Sequence, residues 1–269
     1  MAATIPEPEA RRAWQYERCT VRYLLGPWVE DLLDLAEVQP GQRVLDLACG
    51  TGAVARVAAA RAGPAGTVTG LDMDASMLRV AAQLATQGAA ALQWQQGDAG
   101  AMTFADASFE AVLCQQGLQF FTDRAAALRH VRRVLVRGGR FALAVWDALE
   151  RNPYSAAMVD AIERHLGPAV AEKVRSPFAL GDATALHSLL RQAGFQHLKA
   201  RVVCKILPLP PLDSFVSEHF RAMSLAPVFA AMEAATRTRM IGEIVHALAL
   251  HRSDHGVALP FQVLMVASR

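Results

Sequence analysis

The stretch Val44-Leu45-Asp46-Leu47-Ala48-Cys49-Gly50-Thr51-Gly52 holds the residue types and spacing best suited to chemistry. An apolar run with one acid in it passes directly into Gly-x-Gly, so it reads as a buried strand ending in a carboxylate, then a turn, then a helix. Glycines at such a junction let a ligand lie against bare backbone, beside the positive end of the helix. Asp46 narrows the choice of ligand: it repels a pyrophosphate and attracts a cationic amino group. A second acid, Asp72, lies in Gly70-Leu71-Asp72-Met73-Asp74 after the run Thr67-Val68-Thr69. It comes about twenty residues past Gly52, the distance at which a βαβ unit presents an acid to ribose hydroxyls. A third, Asp98, follows Leu92-Gln93-Trp94-Gln95-Gln96-Gly97 and precedes Ala99. There it can accept a hydrogen bond from an adenine amino group.

Three strand ends each offering an acid, with a glycine turn at the first, describe a nucleoside site with room for a cation. S-adenosylmethionine (SAM) has that composition. Gly50-Thr51-Gly52-Ala53-Val54-Ala55 also satisfies G-x-G-x-x-A, a pattern of NAD-binding enzymes. Asp46, and the lack of a glycine immediately after the strand, favour SAM. The sequence here resembles the class I SAM-dependent methyltransferases. Asp46, Gly50 and Gly52 match that family's first motif, Asp72 its ribose-binding acid, Met73 the residue packed on adenine, and Asp98-Ala99 the adenine-edge pair. The resemblance covers residues 44–146 and looks closest to small-molecule methyltransferases related to those of ubiquinone and menaquinone biosynthesis. It implies a cofactor-binding set of Asp46, Ala48, Gly50, Thr51, Gly52, Asp72, Met73, Asp98, Ala99 and Gln115.

Methyl transfer from a sulfonium is an in-line displacement with a donor that arrives activated. The protein has to hold nucleophile and methyl carbon at near-attack distance and exclude water. A general base is needed only when the acceptor keeps its proton. Acceptor-side candidates follow the fourth strand in Cys114-Gln115-Gln116-Gly117-Leu118-Gln119-Phe120-Phe121: Gln116, Gln119 and Phe120, joined by Trp146 from the fifth strand. An Asn-Pro-Pro-Tyr type sequence, frequent in enzymes methylating amide or amino nitrogens of nucleic acid and protein, does not occur there. Of eight histidines, His219 is the weak candidate for a base, with Tyr154 comparable; helical histidines are more often structural or exposed. Trp14, Tyr16, Tyr23, Trp28, Phe178, Phe215 and Phe220 serve either packing or an apolar substrate wall.

These residues need a scaffold of alternating elements. Strands are expected at 43–47, 67–71, 92–95, 109–114 and 140–146, with helices at 53–62, 75–87 and 123–136, the last stopped by Arg137-Gly138-Gly139. Further helices are expected near 152–166, before Ser176-Pro177-Phe178, at 183–193, and over 212–251 with a break at Pro227. Closing strands are expected at 195–207 and 259–266, with Pro208, Pro210 and Pro211 marking a linker. The fold class is α/β: a Rossmann-like, seven-stranded, mostly parallel sheet with the last strand antiparallel, helices on both faces and a helical cap. Residues 1–38 read as an N-terminal helical segment. Residues 39–269 read as the methyltransferase domain, with cap insertions at about 152–176 and 212–251.

Composition sets limits. The 269 residues carry a net charge of +2 and a mean hydropathy of +0.20, giving no reason to invoke nucleic acid or a membrane. The arginines of 124–137 alternate with apolar residues, as on an amphipathic surface helix with a solvated face. The four cysteines, Cys19, Cys49, Cys114 and Cys204, form no C-x-x-C pair; no metal site is expected, and packing in a reducing cytoplasm is the simpler reading. The N-terminus lacks the basic start and apolar stretch of a signal peptide. The expected function is SAM-dependent methylation of a small molecule, releasing S-adenosylhomocysteine (SAH). The alternatives are a SAM-binding sensor or partner protein without catalysis, and an NAD-dependent oxidoreductase. The residues leave open which acceptor atom is methylated.

Overall fold

The computed structural model describes residues 8–84, 90–253 and 256–268. They fall into two compact units: a sheet unit of Trp28–Asp147, Pro177–Val203 and the chain from Val263, and a helical unit of the chain up to Pro27, Ala148–Ser176 and Cys204–Gln262.

The strands are β1 (Arg43–Leu47), β2 (Thr67–Asp72), β3 (Ala91–Gln96), β4 (Phe109–Gln115), β5 (Leu135–Trp146), β6 (Lys199–Leu209), β7 (Arg252–Ser253) and β8 (Gly256–Ser268). Their order is β3-β2-β1-β4-β5-β8-β6, with the two-residue β7 paired to β8 off this path. The expected seven-stranded, Rossmann-like sheet is thus present. Strands β3, β2, β1, β4 and β5 pair in parallel, and β8 runs antiparallel to β5, with Phe141 opposite Ser268 and Trp146 opposite Val263.

The sequence explains the sheet's order. Central strands covered on both faces must be apolar throughout; Val44 to Leu47 are all buried, as are Ala111 to Cys114. Alternate residues Leu45, Leu47, Val112, Cys114, Phe141, Leu143 and Val145 join a core with Ala127, Leu128, Val131 and Val134 of helix Arg124–Val134 and Leu186 and Leu190 of helix Ala183–Gln192. Helices Val29–Ala36 and Ala53–Ala62 also pack on the strands. From β1 the chain winds outward to β2 and β3, then returns to place β4 on the other side of β1. The crevice at the carboxyl ends of β1 and β4 is therefore a topological switch point, where α/β sheets bind ligands.

The structure changes several boundaries. Helix Arg124–Val134 ends earlier than expected, because Leu135 already has extended backbone and pairs with Phe109. Gly138, at φ 77°, sits in an irregular start to β5 instead of stopping a helix. Pro208 lies inside β6; as the edge strand of the order, β6 tolerates a residue that cannot donate. The segment 8–36 is not one helix but an α-helix (Pro8–Tyr16), a π-helical stretch (Glu17–Leu25), a short 3-10 turn and a second α-helix. The helix expected over 75–87 is Ala75–Leu84, its remainder lying outside the described residues. The arginine run does more than face water. Arg124 donates to the carbonyls of Leu118 and Gln119, and Arg133 to those of Phe104 and Met102, while Arg129, Arg132 and Arg137 are exposed.

The helical unit contains helices Pro153–Leu166, Pro168–Arg175, Leu212–Ala222, Ala226–Ala231 and Ala234–Ala247 besides Pro8–Tyr16. Pro227 occupies the first turn of its short helix, the place where a missing N–H costs nothing. Tyr154, Phe215, Phe220 and Phe261 are all buried within this unit. Among the described residues no helix is long and apolar enough to cross a membrane.

Candidate functional site

At the end of β1 the backbone takes three left-handed steps within five residues, Ala48 (φ 58°), Gly50 (φ 54°) and Gly52 (φ 80°). A side chain at Ala48 makes the first of these uncommon. Gly52 is required twice over. Besides its positive φ, a Cβ there would meet the Trp94 ring at 2.4 Å. Trp94 stands opposite Gly70 in the β2–β3 register, and a Cβ on Gly70 would likewise meet the ring at 2.5 Å. The indole thus fills the space beneath the turn that two glycines leave.

Asp46 is 1% exposed, and its Oδ2 accepts from the Ala55 N–H at the start of helix Ala53–Ala62, 2.9 Å away. Burial pushes its carboxyl up to about 7; the Ala55 N–H opposes that shift, and the neighbouring charge of Asp72 adds to it. Asp72 ends β2. Its Oδ2 accepts from the Gly50 N–H at 2.7 Å and its Oδ1 from the Asp74 N–H at 2.9 Å, so it ties the first turn to the second strand. Burial raises its carboxyl as well, with the charge of Asp74 adding to the shift and the backbone N–H groups of Asp74, Gly50 and Met73 opposing it. A buried carboxylate and a half-buried one that repel one another suit a positive charge or hydroxyl donors.

The next strand ends are more open. Met73 is 75% exposed, and its carbonyl accepts from the Gln96 side chain at 3.1 Å. Asp98 is exposed, with Oδ1 accepting from the Gly100 N–H at 2.8 Å, and so caps the short turn that buries Ala99. Thr51 is buried, and its carbonyl accepts from Arg56 at 2.5 Å.

The end of β4 is built as tightly as that of β1. Gln115 closes the strand, and Gln116 follows in a left-handed conformation (φ 54°), its N–H bonded to the Ala144 carbonyl at 2.8 Å. A Cβ on Gly117 would come within 2.6 Å of the Ala48 Cβ, so the turns after β1 and β4 touch. The Gln116 Oε1 accepts from the Trp146 N–H at 3.1 Å and from the Gln119 Nε2 at 2.8 Å. The Gln116 Nε2 and Gln119 Oε1 are both closed off from solvent and have no hydrogen-bond partner among the described residues, a cost of about 1–3 kcal/mol for each such group. Phe120, on the same turn, is 60% exposed. The half-buried Trp146 stacks on Phe178 at 6.1 Å and meets the edge of Trp28 at 6.5 Å.

Tyr154 and His219 belong to the helical unit, where they pair with each other: Tyr154 Oη and His219 Nδ1 are 2.8 Å apart. Phe215 stacks on the imidazole at 5.8 Å. Burial alone holds the His219 ring down to about 4, while burial and the neighbouring Cys19 push the Tyr154 hydroxyl well above its ordinary range. Both groups are neutral at physiological pH.

Two supporting residues are absent from the sequence-based set. Trp94 is signalled only by a large aromatic ring flanked by glutamines in its strand. Arg124, whose guanidinium holds the turn carrying Gln119, is hidden among arginines of similar appearance.

Comparison with known proteins bears on the same region. Residues 45–143 match the model of a methyltransferase domain. The chain is 35% identical over 181 residues to the 2-phytyl-1,4-naphtoquinone methyltransferase of Thermosynechococcus vestitus, covering 64% of this chain and 80% of that protein. It is 29% identical over 275 residues to the nocamycin O-methyltransferase of Saccharothrix syringae, covering 96% of each. Among solved structures, the Haemonchus contortus phosphoethanolamine N-methyltransferase 2 in complex with SAM superposes with a TM-score of 0.62 at 16% identity, over 97% of this chain and 57% of that one.

Proposed function

The chain belongs to the class I SAM-dependent methyltransferases, and from that premise we propose that it methylates a small molecule held at the carboxyl ends of β1 to β5. SAM is the cofactor, and it supplies a methyl group already activated on a sulfonium. The observation that carries the assignment of residues is the pairing of buried Asp46 with half-buried Asp72 at the glycine turn. Asp46, driven toward its protonated form by burial and by Asp72, gains most from a ligand that brings an ammonium group. Asp72 has two backbone donors, and each oxygen keeps a lone pair for a ribose hydroxyl. The exposed Met73 and Asp98, with Ala99, complete an adenine site on the neighbouring strand ends. Ala48, Gly50, Thr51 and Gly52 shape the turn for the methionine end, and Gln115 closes this set. A dinucleotide would bring its pyrophosphate against Asp46.

The acceptor is assigned to Gln116, Gln119, Phe120 and Trp146. Gln116 and Gln119 are polar and uncharged, Phe120 and Trp146 aromatic, which suits an apolar ring bearing oxygen, in keeping with a relative named for a naphthoquinone. Within the whole chain, residues 1–38 are assigned to an N-terminal segment and 39–269 to the methyltransferase domain, with insertions at about 152–176 and 212–251. Tyr154 and His219 are assigned to packing there, because an imidazole held down to about 4 takes up protons poorly at neutral pH. With Arg124 and Arg133 bound to backbone carbonyls and the four cysteines present as thiols, the reading is of an enzyme acting on metabolites in the cytoplasm.

The test is SAH titration by calorimetry with NAD as the control ligand, followed by incubation of methyl-labelled SAM with a panel of ring acceptors. Saturable SAH binding, silence toward NAD and label in an extracted acceptor are expected. NAD binding without SAH binding contradicts the assignment of Asp46, and label transferred only to protein or RNA contradicts a small-molecule acceptor.

A further inference from the structure

We infer that the side-chain amides of Gln116 and Gln119 read one neutral hydroxyl group of the acceptor, Gln116 donating to its oxygen and Gln119 accepting its proton. The inference rests on the methyl-transfer reading of the sheet unit. The orientation of both amides follows from a chain of fixed contacts. The Trp146 N–H can only donate, so the oxygen of Gln116 faces it. That oxygen can only accept, so the nitrogen of Gln119 faces Gln116. What remains is one unpaired donor, the Gln116 Nε2, and one unpaired acceptor, the Gln119 Oε1. Gln116 is 9% exposed and Gln119 5%.

The surroundings hold these groups in place, and because both atoms are closed off from solvent here, what covers them moves aside when the hydroxyl enters. Gln116 is held in left-handed backbone, uncommon for a residue with a side chain, by its N–H to Ala144 and by the packing of Gly117 on Ala48. Arg124 grips the carbonyls of Leu118 and Gln119 and so fixes the turn that carries the second amide. Strain and unmet hydrogen bonds in one rigid place are features of a ligand contact. A hydroxyl both donates and accepts through a single atom. A carboxylate brings no donor, an ammonium no acceptor, and a hydrocarbon neither. Amides do not titrate near neutral pH, so the pair orients and selects the acceptor and removes no proton from it.

The test uses the full chain saturated with SAH, titrated with phenol and with benzene. Phenol is expected to bind at least about ten times more tightly than benzene, the difference a site with unpaired polar groups makes between such analogues. In Gln119→Met, which leaves the Trp146 contact to Gln116 intact, that ratio should fall to about threefold or less with SAH affinity unchanged. Should that variant fail to fold, the wild-type protein decides by NMR. The Gln116 side-chain N–H resonances should move with phenol and stay in place with benzene. Equal affinities, a ratio that survives Gln119→Met, unmoved Gln116 resonances, or no phenol binding up to about 50 mM, a Kd at which no directed contact remains, overturn the inference. A protein that takes up no SAH contradicts the methyl-transfer reading instead, and the same phenol titration without SAH still judges the amide pair.

Discussion

Asp46 in the sheet unit and His219 in the helical unit are both buried titratable groups driven toward neutrality, yet their surroundings differ in kind. His219 has a neutral partner in Tyr154 and an aromatic face from Phe215, and desolvation is the sole cause of its shift. That is a finished interior, in which every contact suits an uncharged ring. Asp46 has one backbone donor and, nearby, a second carboxylate that makes its own ionisation harder, an effect the charge of Arg56 opposes only in part. A protein that needed only packing would have no use for that arrangement. On the proposed function, the difference separates a core that satisfies its groups internally from a site whose demand a ligand meets.

The largest expected effect comes from the turn that holds the Asp46 region open. Gly52→Val places a β-branched residue at φ 80° with its Cβ in the Trp94 ring, and should cost about 2–6 kcal/mol by strain and overpacking together. Thermal unfolding checks this; a wild-type Tm would mean that Trp94 moves aside freely.

The comparison itself is sharpened by pH. Folding holds the Asp46 proton up to about 7, while the unfolded chain releases it near 3.8. Between those values the unfolded state binds fewer protons, so stability falls as pH rises, by up to about 4 kcal/mol. Asp46→Asn should remove that slope and be more stable than wild type above pH 7 in denaturant titrations. His219 acts with the opposite sign. The unfolded chain takes up its proton below 6.5 and the folded one resists down to about 4. Its contribution is whole above 6.5 and lost on acidification through that window, by up to about 3 kcal/mol. The two slopes oppose each other between about pH 4 and 6.5. Hence His219→Gln should leave a protein whose stability rises as pH falls through that range, and Asp46→Asn one whose stability falls. Slopes of the same sign in both variants would break the comparison.

A smaller effect is expected on affinity. Asp72→Ala removes a carboxylate that the account places against ribose, and SAH binding should weaken by about 1.5–3 kcal/mol. Unchanged affinity would detach Asp72 from the ligand and leave it only the structural bonds to Gly50 and Asp74.

Much of this was legible in the residues. The apolar run into Gly50-Thr51-Gly52 marks β1 as a buried strand, and the acids at 46, 72 and 98 mark where β1, β2 and β3 come to their ends. What was hidden depends on partners distant in the chain. Trp94 lies under Gly52 and Gly70 only because of the β2–β3 register. Gly138-Gly139 reads as a helix stop until Leu135 finds Phe109 across the sheet. The Gln116–Gln119 link depends on a 3-10 turn fixed by Arg124, and the neutral state of His219 depends on Tyr154 and Phe215 closing over it.

The most direct test of the claim that Asp46 awaits a cation is calorimetric titration of SAH at pH 6.5 in two buffers of different ionisation enthalpy. An ammonium arriving beside Asp46 should pull its carboxyl back toward the ordinary range and release on the order of half a proton. The apparent heats should then differ between buffers, and the difference should vanish in Asp46→Asn. Identical heats in the wild-type protein would contradict the account.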